Sequence, residues 1–178
     1  MLVHMSKETQ KYYQSKYERL KGSNDKEVFY EARQEFNKYQ KKRRQPYIRS
    51  KYFDGQKVFL SMFWTHLNQK SPVERQRRIV FIRAAFDLIR NSHIDPVIEP
   101  QEKPSDIYYR FYGKTKSGEN FAVQVMKDKK SNRYFMSCFP TKKKFWNKKE
   151  KARYSGARGR PASHFFSADK PKVCLLAI

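Results

Sequence analysis

One histidine and a group of cations have the types and spacing needed to cleave RNA without a metal. His66 and Lys70 lie four positions apart and would share one face of a helix. The next predicted helix begins with further cations, Arg75, Arg77 and Arg78. Metal-free cleavage needs a base for the 2′-hydroxyl proton, an acid for the leaving oxygen and cations for the charge on phosphorus. The alternative is a surface histidine beside arginines that only hold phosphate.

A second cluster combines tyrosines with cations on a predicted strand. Residues 108–116 contain three tyrosines together with Arg110, Lys114 and Lys116, and Lys127 follows on the predicted neighbouring strand. Sheets bind single-stranded RNA with this combination, because cations hold the phosphates while aromatic rings stack on the bases. The alternative is that these cations protect a sheet edge from aggregation and that the rings belong to the core.

Other catalytic templates are missing from the sequence. It contains no Gly-x-x-x-x-Gly-Lys phosphate loop, no paired-glycine dinucleotide fingerprint, no His-Glu-x-x-His and no Gly-x-Ser-x-Gly. Cys138 and Cys174 have no cysteine or histidine at metal-ligand spacing. Two-metal nucleases need clustered carboxylates, whereas the acids here are scattered, apart from a group in a proline-rich stretch, Glu99, Glu102 and Asp106. We therefore expect neither a metal site nor a cofactor.

The charge of the chain indicates a polyanionic partner. Its 178 residues include 40 Lys and Arg against 17 Asp and Glu, which gives a net charge of +23. Such an excess destabilises a compact protein by self-repulsion unless an anionic partner neutralises it. We expect that partner to be nucleic acid, with RNA favoured over DNA. An inhibitor protein or a larger ribonucleoprotein is a possible further partner, and no membrane partner is expected.

Two basic runs lie outside these clusters. The first is Lys41, Lys42, Arg43 and Arg44. It follows a predicted helix, where cations suit the C-terminal end and also extend toward phosphate. Residues 141–178 carry 11 Lys and Arg against two acids, and we expect an extended arm that contacts phosphates and stacks on bases. The alternative is a solvated tail. The predicted binding residues of the arm are Lys142, Lys143, Lys144, Trp146, Lys148, Lys149, Arg153, Arg158 and Arg160.

Apolar spacing predicts a helical hairpin at the N-terminus. Apolar residues recur at helical spacing over residues 6–21 and again over 26–45. Between them, Gly22-Ser23-Asn24-Asp25 forms a turn that ends in an N-cap. We therefore expect residues 1–50 to form a helical hairpin that extends from the core domain.

Residues 51–140 are predicted to form this core domain, of the α+β class. A short helix is expected over 57–69. Ser71-Pro72-Val73-Glu74 provides an N-cap, a proline at the first helical position and a capping-box glutamate for a second helix, which continues to about Asn91. A connector over 92–104 follows. Alternating apolar residues then predict an antiparallel meander of three to four strands, at 106–115, 120–129 and 133–140.

Three strand motifs in this order of elements resemble a known group of ribonucleases. The motifs are Tyr109-Arg110-Phe111-x-Gly-x-Thr115, Phe121-x-Val-Gln124-Val and Phe135-Met-Ser137-x-Phe-Pro140. With the preceding helix and connector, they make residues 53–140 similar to the phage-associated branch of the barnase, EndoU, colicin and RelE-like superfamily. The resemblance implies a small α+β fold and a metal-independent endoribonuclease, often a toxin, that leaves a 2′,3′-cyclic phosphate.

The resemblance also implies catalytic roles for six side chains. These are His66, Arg75, Arg110, Thr115, Gln124 and Ser137. The histidine is the candidate base or acid, the two arginines stabilise the phosphate, and the other three are polar residues of the sheet face. The chain departs from the superfamily in one respect, because the histidines that some members carry on their strands are absent and Tyr109 stands on the strand instead.

We therefore expect an RNA-binding protein and, by the resemblance, an endoribonuclease of toxin type. The alternative is a non-catalytic RNA- or DNA-binding subunit of a larger nucleoprotein complex. A third hypothesis is an antirestriction or host-takeover factor that uses its charge to seize such a complex. No stretch near residue 1 is long and apolar enough for a signal peptide, and none elsewhere reaches transmembrane length. We expect a cytoplasmic protein with reduced thiols.

Overall fold

The structure is a computed structural model that describes residues 12–40, 45–99 and 106–141, which form four α-helices and a seven-stranded mixed β-sheet. The helices are α1 (Asp25–Gln40), α2 (Ser61–Asn68), α3 (Pro72–Ile79) and α4 (Ile82–Asn91). The strands are β1 (Tyr13–Gln14), β2 (Tyr47–Arg49), β3 (Lys57–Phe59), β4 (Val97–Glu99), β5 (Ile107–Lys114), β6 (Asn120–Lys127) and β7 (Arg133–Pro140).

The sheet is built around three long antiparallel strands, β5, β6 and β7, which pair in chain order. Beyond β7, the short strand β3 pairs in parallel, and β2 then pairs antiparallel with β3. On the other side, both β1 and β4 pair with β5, the first in parallel and the second antiparallel. The sheet is therefore mixed, and short strands flank its long central strands.

The helices bury aromatic residues against one face of this sheet. Phe63 stacks on Phe135 with ring centroids 4.7 Å apart, and Phe81 stacks on Phe121 at 5.7 Å. All four rings are buried, and full burial of a phenylalanine contributes roughly 1.5–3 kcal/mol. Gly113 is required beside them, because a Cβ atom there would lie 2.6 Å from the Phe121 ring. The helical face of the sheet is thus the core of the domain.

The predicted N-terminal helical hairpin is wrong. Its second helix forms as α1, but residues 12–21 contain no helix, and residues 13–14 pair with β5 as a strand. The physical reason is the buried carboxylate of Asp87 on α4. It accepts hydrogen bonds from the Tyr13 hydroxyl (3.2 Å), the Ser15 hydroxyl (2.8 Å) and the Lys16 backbone N–H (3.2 Å). A buried carboxylate needs such partners, so it holds this segment in an extended conformation.

The predicted fold of two helices followed by a separate antiparallel meander is also wrong. The three long strands form only the middle of a larger sheet, whose parallel pairs involve β1 and β3. The stretch 57–69, predicted as one helix, begins with strand β3, because Val58 is buried and pairs with Arg133 of β7. The predicted connector contains strand β4, which pairs with β5.

The long helix predicted from Pro72 to Asn91 is divided into α3 and α4. Val80 and Phe81 lie between the two. The Val80 carbonyl accepts the backbone N–H of Leu20 at 2.7 Å. In a continuous helix that carbonyl would accept the N–H four residues later, so the hydrogen bond from Leu20 takes the place of one intrahelical hydrogen bond.

No helix among residues 12–40, 45–99 and 106–141 is long and apolar enough to cross a membrane. The predicted basic arm beyond residue 141 and the basic run at 41–44 lie outside the described residues.

Candidate nucleic-acid interface

The face of β5, β6 and β7 that points away from the helices carries cations, aromatic rings and polar side chains. We call it the outer face. Side-chain alternation and the pairing register define its members, and all of them except one buried alanine are half-buried. They are Tyr108, Arg110, Tyr112, Lys114, Asn120, Ala122, Gln124, Met126, Tyr134, Ser137 and Phe139.

A β-bulge in β7 turns two of these side chains outward. The pairing with β6 shifts by one residue at Met136. As a result Phe135 and Cys138 both belong to the core, although they are three positions apart. Ser137 and Phe139 then point to the outer face, whereas strict alternation would have placed them on the same face as Phe135. The bulge therefore redirects side chains, as such irregularities often do near functional sites.

Four polar side chains from three strands and one helix form a row across the outer face. Arg110 lies opposite Gln124, and Gln124 lies opposite Ser137. From α3, Arg78 Nη1 donates a hydrogen bond to Ser137 Oγ at 2.8 Å. The Cys138 thiol donates to the Arg78 carbonyl at 3.3 Å and ties the end of α3 to β7. We call Arg78, Arg110, Gln124 and Ser137 the polar row.

Both arginines of the polar row lie against the same aromatic ring. The guanidinium carbons of Arg78 and Arg110 are 5.4 and 5.3 Å from the centroid of Phe139. Cation–π contacts of this kind contribute about 0.5–2 kcal/mol each, depending on exposure. A guanidinium against a ring can still direct its N–H groups at a phosphate. Phe139 therefore holds two guanidinium groups in position.

Rings and cations continue from the outer face onto the two short strands beyond β7. The ring of Tyr134 lies 5.8 Å from that of Phe59, and Phe59 lies 6.4 Å from Tyr47. Lys57 Nζ is 4.8 Å from the Tyr47 centroid, and Arg49 is paired with Lys57 in the register. The aromatic and basic surface therefore extends across the sheet from β5 to β2.

A carboxylate at the border of the outer face is already engaged. Asp128 accepts the backbone N–H of Asn132 at 2.8 Å, and the Tyr134 hydroxyl lies 3.5 Å from its second oxygen. Burial and the charge of Asp128 raise the pKa of Tyr134. This phenol therefore stays protonated near neutral pH and does not act as a base there.

Thr115, predicted as a catalytic residue, lies outside the polar row. It is buried, and its Oγ1 accepts the backbone N–H of Glu119 at 3.1 Å. The Ser117 hydroxyl is 3.0 Å away. These contacts close the turn between β5 and β6, so the side chain has a structural role in this conformation.

His66 and Arg75 also lie outside the polar row. His66 is half-buried in the last turn of α2, and no hydrogen bond or ion pair joins it to another side chain of the described residues. Arg75 is half-buried on α3, three positions before Arg78. Of the six predicted catalytic residues, the structure thus brings together Arg110, Gln124 and Ser137.

The predicted binding residues lie in several places. Arg78 belongs to the polar row, through its hydrogen bond to Ser137. Lys114 lies on the outer face, and its Nζ is 3.9 Å from the ring centroid of Tyr12. Lys127 is half-buried at the end of β6. Three others are exposed and lie outside the outer face, namely Lys70, Arg77 and Lys116. The remaining predicted binding residues are outside the described residues. These are Lys41, Lys42, Arg43, Arg44, Lys142, Lys143, Lys144, Trp146, Lys148, Lys149, Arg153, Arg158 and Arg160.

Sequence reasoning did not select several residues of this surface, including Phe139 and the four outward residues of β2 and β3. The available signal was short. In each of the segments Tyr47-Ile48-Arg49 and Lys57-Val58-Phe59, the middle residue is apolar and buried, and its two neighbours point to the opposite face. Runs of three residues carry little information about strands, so the pattern for 57–59 was attributed to the following helix.

The polar row can bind and neutralise a phosphate, but it contains no group that accepts a proton near neutral pH. Guanidinium groups stay protonated, and amide and hydroxyl groups stay neutral. Burial raises the pKa of the neighbouring Cys138 thiol to about 12, which disfavours its nucleophilic form. Within the part of the chain that the structure describes, no group of three or more His, Cys, Asp or Glu could hold a metal ion.

No protein-family model matches this chain, and no curated protein and no solved structure matches it.

Proposed function

We propose that this protein binds single-stranded RNA across the outer face of its sheet. The observation that carries the proposal is the polar row, in which Arg78 and Arg110 lie against Phe139. Sheets that bind single-stranded RNA combine cations for the phosphates with rings that stack on unpaired bases. The net charge of +23 adds long-range attraction to any phosphate backbone.

The uncharged members of the polar row support RNA as the ligand. The Gln124 amide and the Ser137 hydroxyl can each donate and accept hydrogen bonds. Such groups can bond to base edges or to the 2′-hydroxyl, which DNA lacks. They sit beside the two arginines, so a nucleotide whose phosphate contacts a guanidinium would bring its sugar or base within their reach.

The double substitution Arg78→Gln with Arg110→Gln tests this proposal. We expect it to weaken the binding of a fluorescein-labelled single-stranded RNA about tenfold or more, because two charge-assisted contacts are lost. The salt dependence of log K should become shallower by about 1.4, since each phosphate contact on a single strand contributes about 0.7. Fluorescence anisotropy at several salt concentrations measures both quantities.

The matched control removes the same charge elsewhere. Lys21 precedes α1 and Lys26 lies in its first turn, and both are exposed and are not members of the outer face. The double variant Lys21→Gln with Lys26→Gln should keep nearly all of the affinity. If this control loses as much affinity as the row variant, binding depends on net charge alone and the outer face is not the site.

A second candidate function is metal-independent RNA cleavage at the polar row. Two guanidinium groups beside a hydroxyl favour it, because they could stabilise the negative charge that develops on phosphorus. Incubation of the protein with RNA in EDTA should then give products that end in a 2′,3′-cyclic phosphate, and the double variant Arg78→Gln with Arg110→Gln should abolish them. Because the polar row supplies no base, the proton of the 2′-hydroxyl would pass to solvent. Intact RNA after prolonged incubation would leave binding without chemistry, as in a subunit of a nucleoprotein complex.

A further inference from the structure

A cleft of about 480 Å³ opens beside β2, at the C-terminal ends of α1 and α4. Three of its nine lining residues are cations, Arg49, Lys51 and Arg90. None of these nine lining residues is acidic. The cleft therefore combines a concave shape with a positive charge that its own described walls do not neutralise.

The cations of the cleft are positioned by contacts with its other walls. Arg49 Nη1 donates to the Gly55 carbonyl at 3.0 Å. The guanidinium carbon of Arg90 lies 5.2 Å from the ring centroid of Tyr39, and the backbone N–H of Lys51 donates to the Arg90 carbonyl at 3.2 Å. The loop after β2 is thus tied to the end of α4, and side chains from both converge on one cleft.

A neighbouring cleft of about 200 Å³ shows the opposite electrostatics. It shares three lining residues with the first but also includes Glu35 and Asp87. Glu35 contacts Arg83 at 2.6 Å, and Asp87 accepts a hydrogen bond from Asn91 at 2.9 Å. Its two carboxylates lie among three cations, Lys16, Arg83 and Arg90, so an anion there would meet negative charge, and the larger cleft is the expected anion site.

We infer that the larger cleft binds a terminal phosphate group, carried either by a free nucleotide or by the 5′ end of an RNA. A phosphate monoester carries a charge of about −1.5 to −2 near neutral pH and offers three strong acceptor oxygens. A backbone diester carries one charge, so three cations match the monoester better. Ligand pockets usually enclose about 300–1,000 Å³, a range that includes this cleft.

The position of the cleft connects it to the outer face. Tyr47 and Arg49 line the cleft, and both also lie on the aromatic and basic surface that continues from β7 to β2. An RNA that crosses the outer face toward β2 would therefore bring its end to the cleft. This connection, but not the phosphate site itself, rests on the proposed function.

The test compares adenosine 5′-monophosphate with two RNAs of one sequence, one with a 5′-phosphate and one with a 5′-hydroxyl. The variant Arg49→Gln with Lys51→Gln replaces two exposed cations of the cleft. We expect it to weaken binding of the mononucleotide, measured by calorimetry, at least about tenfold. The control variant Lys129→Gln with Lys130→Gln, exposed residues of the turn after β6, should bind it as the unmodified protein does.

The RNA arms identify the source of the phosphate. If the 5′-phosphorylated RNA binds more tightly than the 5′-hydroxyl RNA, and this preference disappears in the cleft variant, the ligand is an RNA end. If only the mononucleotide depends on Arg49 and Lys51, the ligand is a free nucleotide. If neither ligand depends on them, the inference is overturned. Loss of mononucleotide binding in the cleft variant, together with unchanged RNA binding in the Arg78 and Arg110 variant, would contradict the proposed function alone.

Discussion

The two faces of the sheet place aromatic rings in different surroundings, and one strand shows both. On the helical face of β7, Phe135 stacks on Phe63 with centroids 4.7 Å apart, and both rings are fully buried. On the outer face, Phe139 lies against the guanidinium groups of Arg78 and Arg110. A ring among rings stabilises the fold by excluding water, whereas a ring among cations positions charge.

The charges of the two faces differ in the same way. On the helical side, Arg83 contacts Glu35 at 2.6 Å and Glu31 at 3.5 Å, so its charge is matched by acids. On the outer face, Arg78 donates to a serine at 2.8 Å and forms one ion pair, with Glu74 at 3.4 Å. The comparison indicates that the helical side matches the charge of its arginine with acids alone, while the outer face holds its guanidinium groups with an aromatic ring, a hydroxyl and one acid.

The largest effect that the comparison predicts is on stability, at the buried ring of β7. Phe135→Ala should lower the free energy of unfolding by about 3–5 kcal/mol, because it removes a fully buried ring and leaves a cavity. Urea denaturation followed by circular dichroism measures this change. If Phe135→Ala lowered the free energy of unfolding less than Phe139→Ala does, the assignment of the core to the helical face would be contradicted.

The second prediction concerns the ring on the opposite face. Phe139→Ala should weaken RNA binding by about 1–3 kcal/mol, the usual contribution of one stacking ring, and should destabilise the fold less than Phe135→Ala. Anisotropy titrations and urea denaturation together measure the two effects. Phe139→Tyr keeps the ring and should keep most of the affinity. Equal losses of affinity in the alanine and tyrosine variants would show that the ring does not act by stacking or by holding the arginines.

The smallest expected effect is a difference between two adjacent positions of β7 in how fast a thiol reacts with iodoacetamide. Burial raises the pKa of Cys138 to about 12. In a Cys174→Ser background, the Cys138 thiol of the native protein should therefore resist modification by iodoacetamide at about pH 8. Below this raised pKa the thiol stays neutral in the folded state, and it becomes reactive when the protein unfolds. Adding Ser137→Cys places a thiol on the outer face. This thiol should react faster than Cys138, and mass spectrometry measures both rates. Rapid modification of Cys138 in the native protein would place it outside the core.

Elements that depend on nearby residues could be predicted from the sequence. Ser71 caps α3 as expected, because its Oγ accepts the Glu74 backbone N–H at 3.4 Å and Pro72 follows at the first helical position. The strands β5, β6 and β7 begin and end within about two residues of the alternating segments, since alternation directly reflects one buried face. In these cases the energetic cause lies within a few residues of its effect.

Elements that depend on distant partners could not be predicted. Tyr13 and Tyr17 have helical spacing, but Asp87, 74 positions from Tyr13, binds the segment around Tyr13 in an extended form. The helix expected from Pro72 to Asn91 is divided where Leu20 donates to the Val80 carbonyl. No window of local sequence contains these partners, and their hydrogen bonds outweigh a modest helical preference.

The sequence by itself determined the large positive charge, the capped start of α3, the three long strands of the sheet, and the polar candidates Arg110, Gln124 and Ser137. Tertiary structure alone decided that these three form one row and that Arg78 joins it. The reason is the bulge at Met136, because packing of the core sets the strand register and thereby the face on which each later side chain of β7 lies.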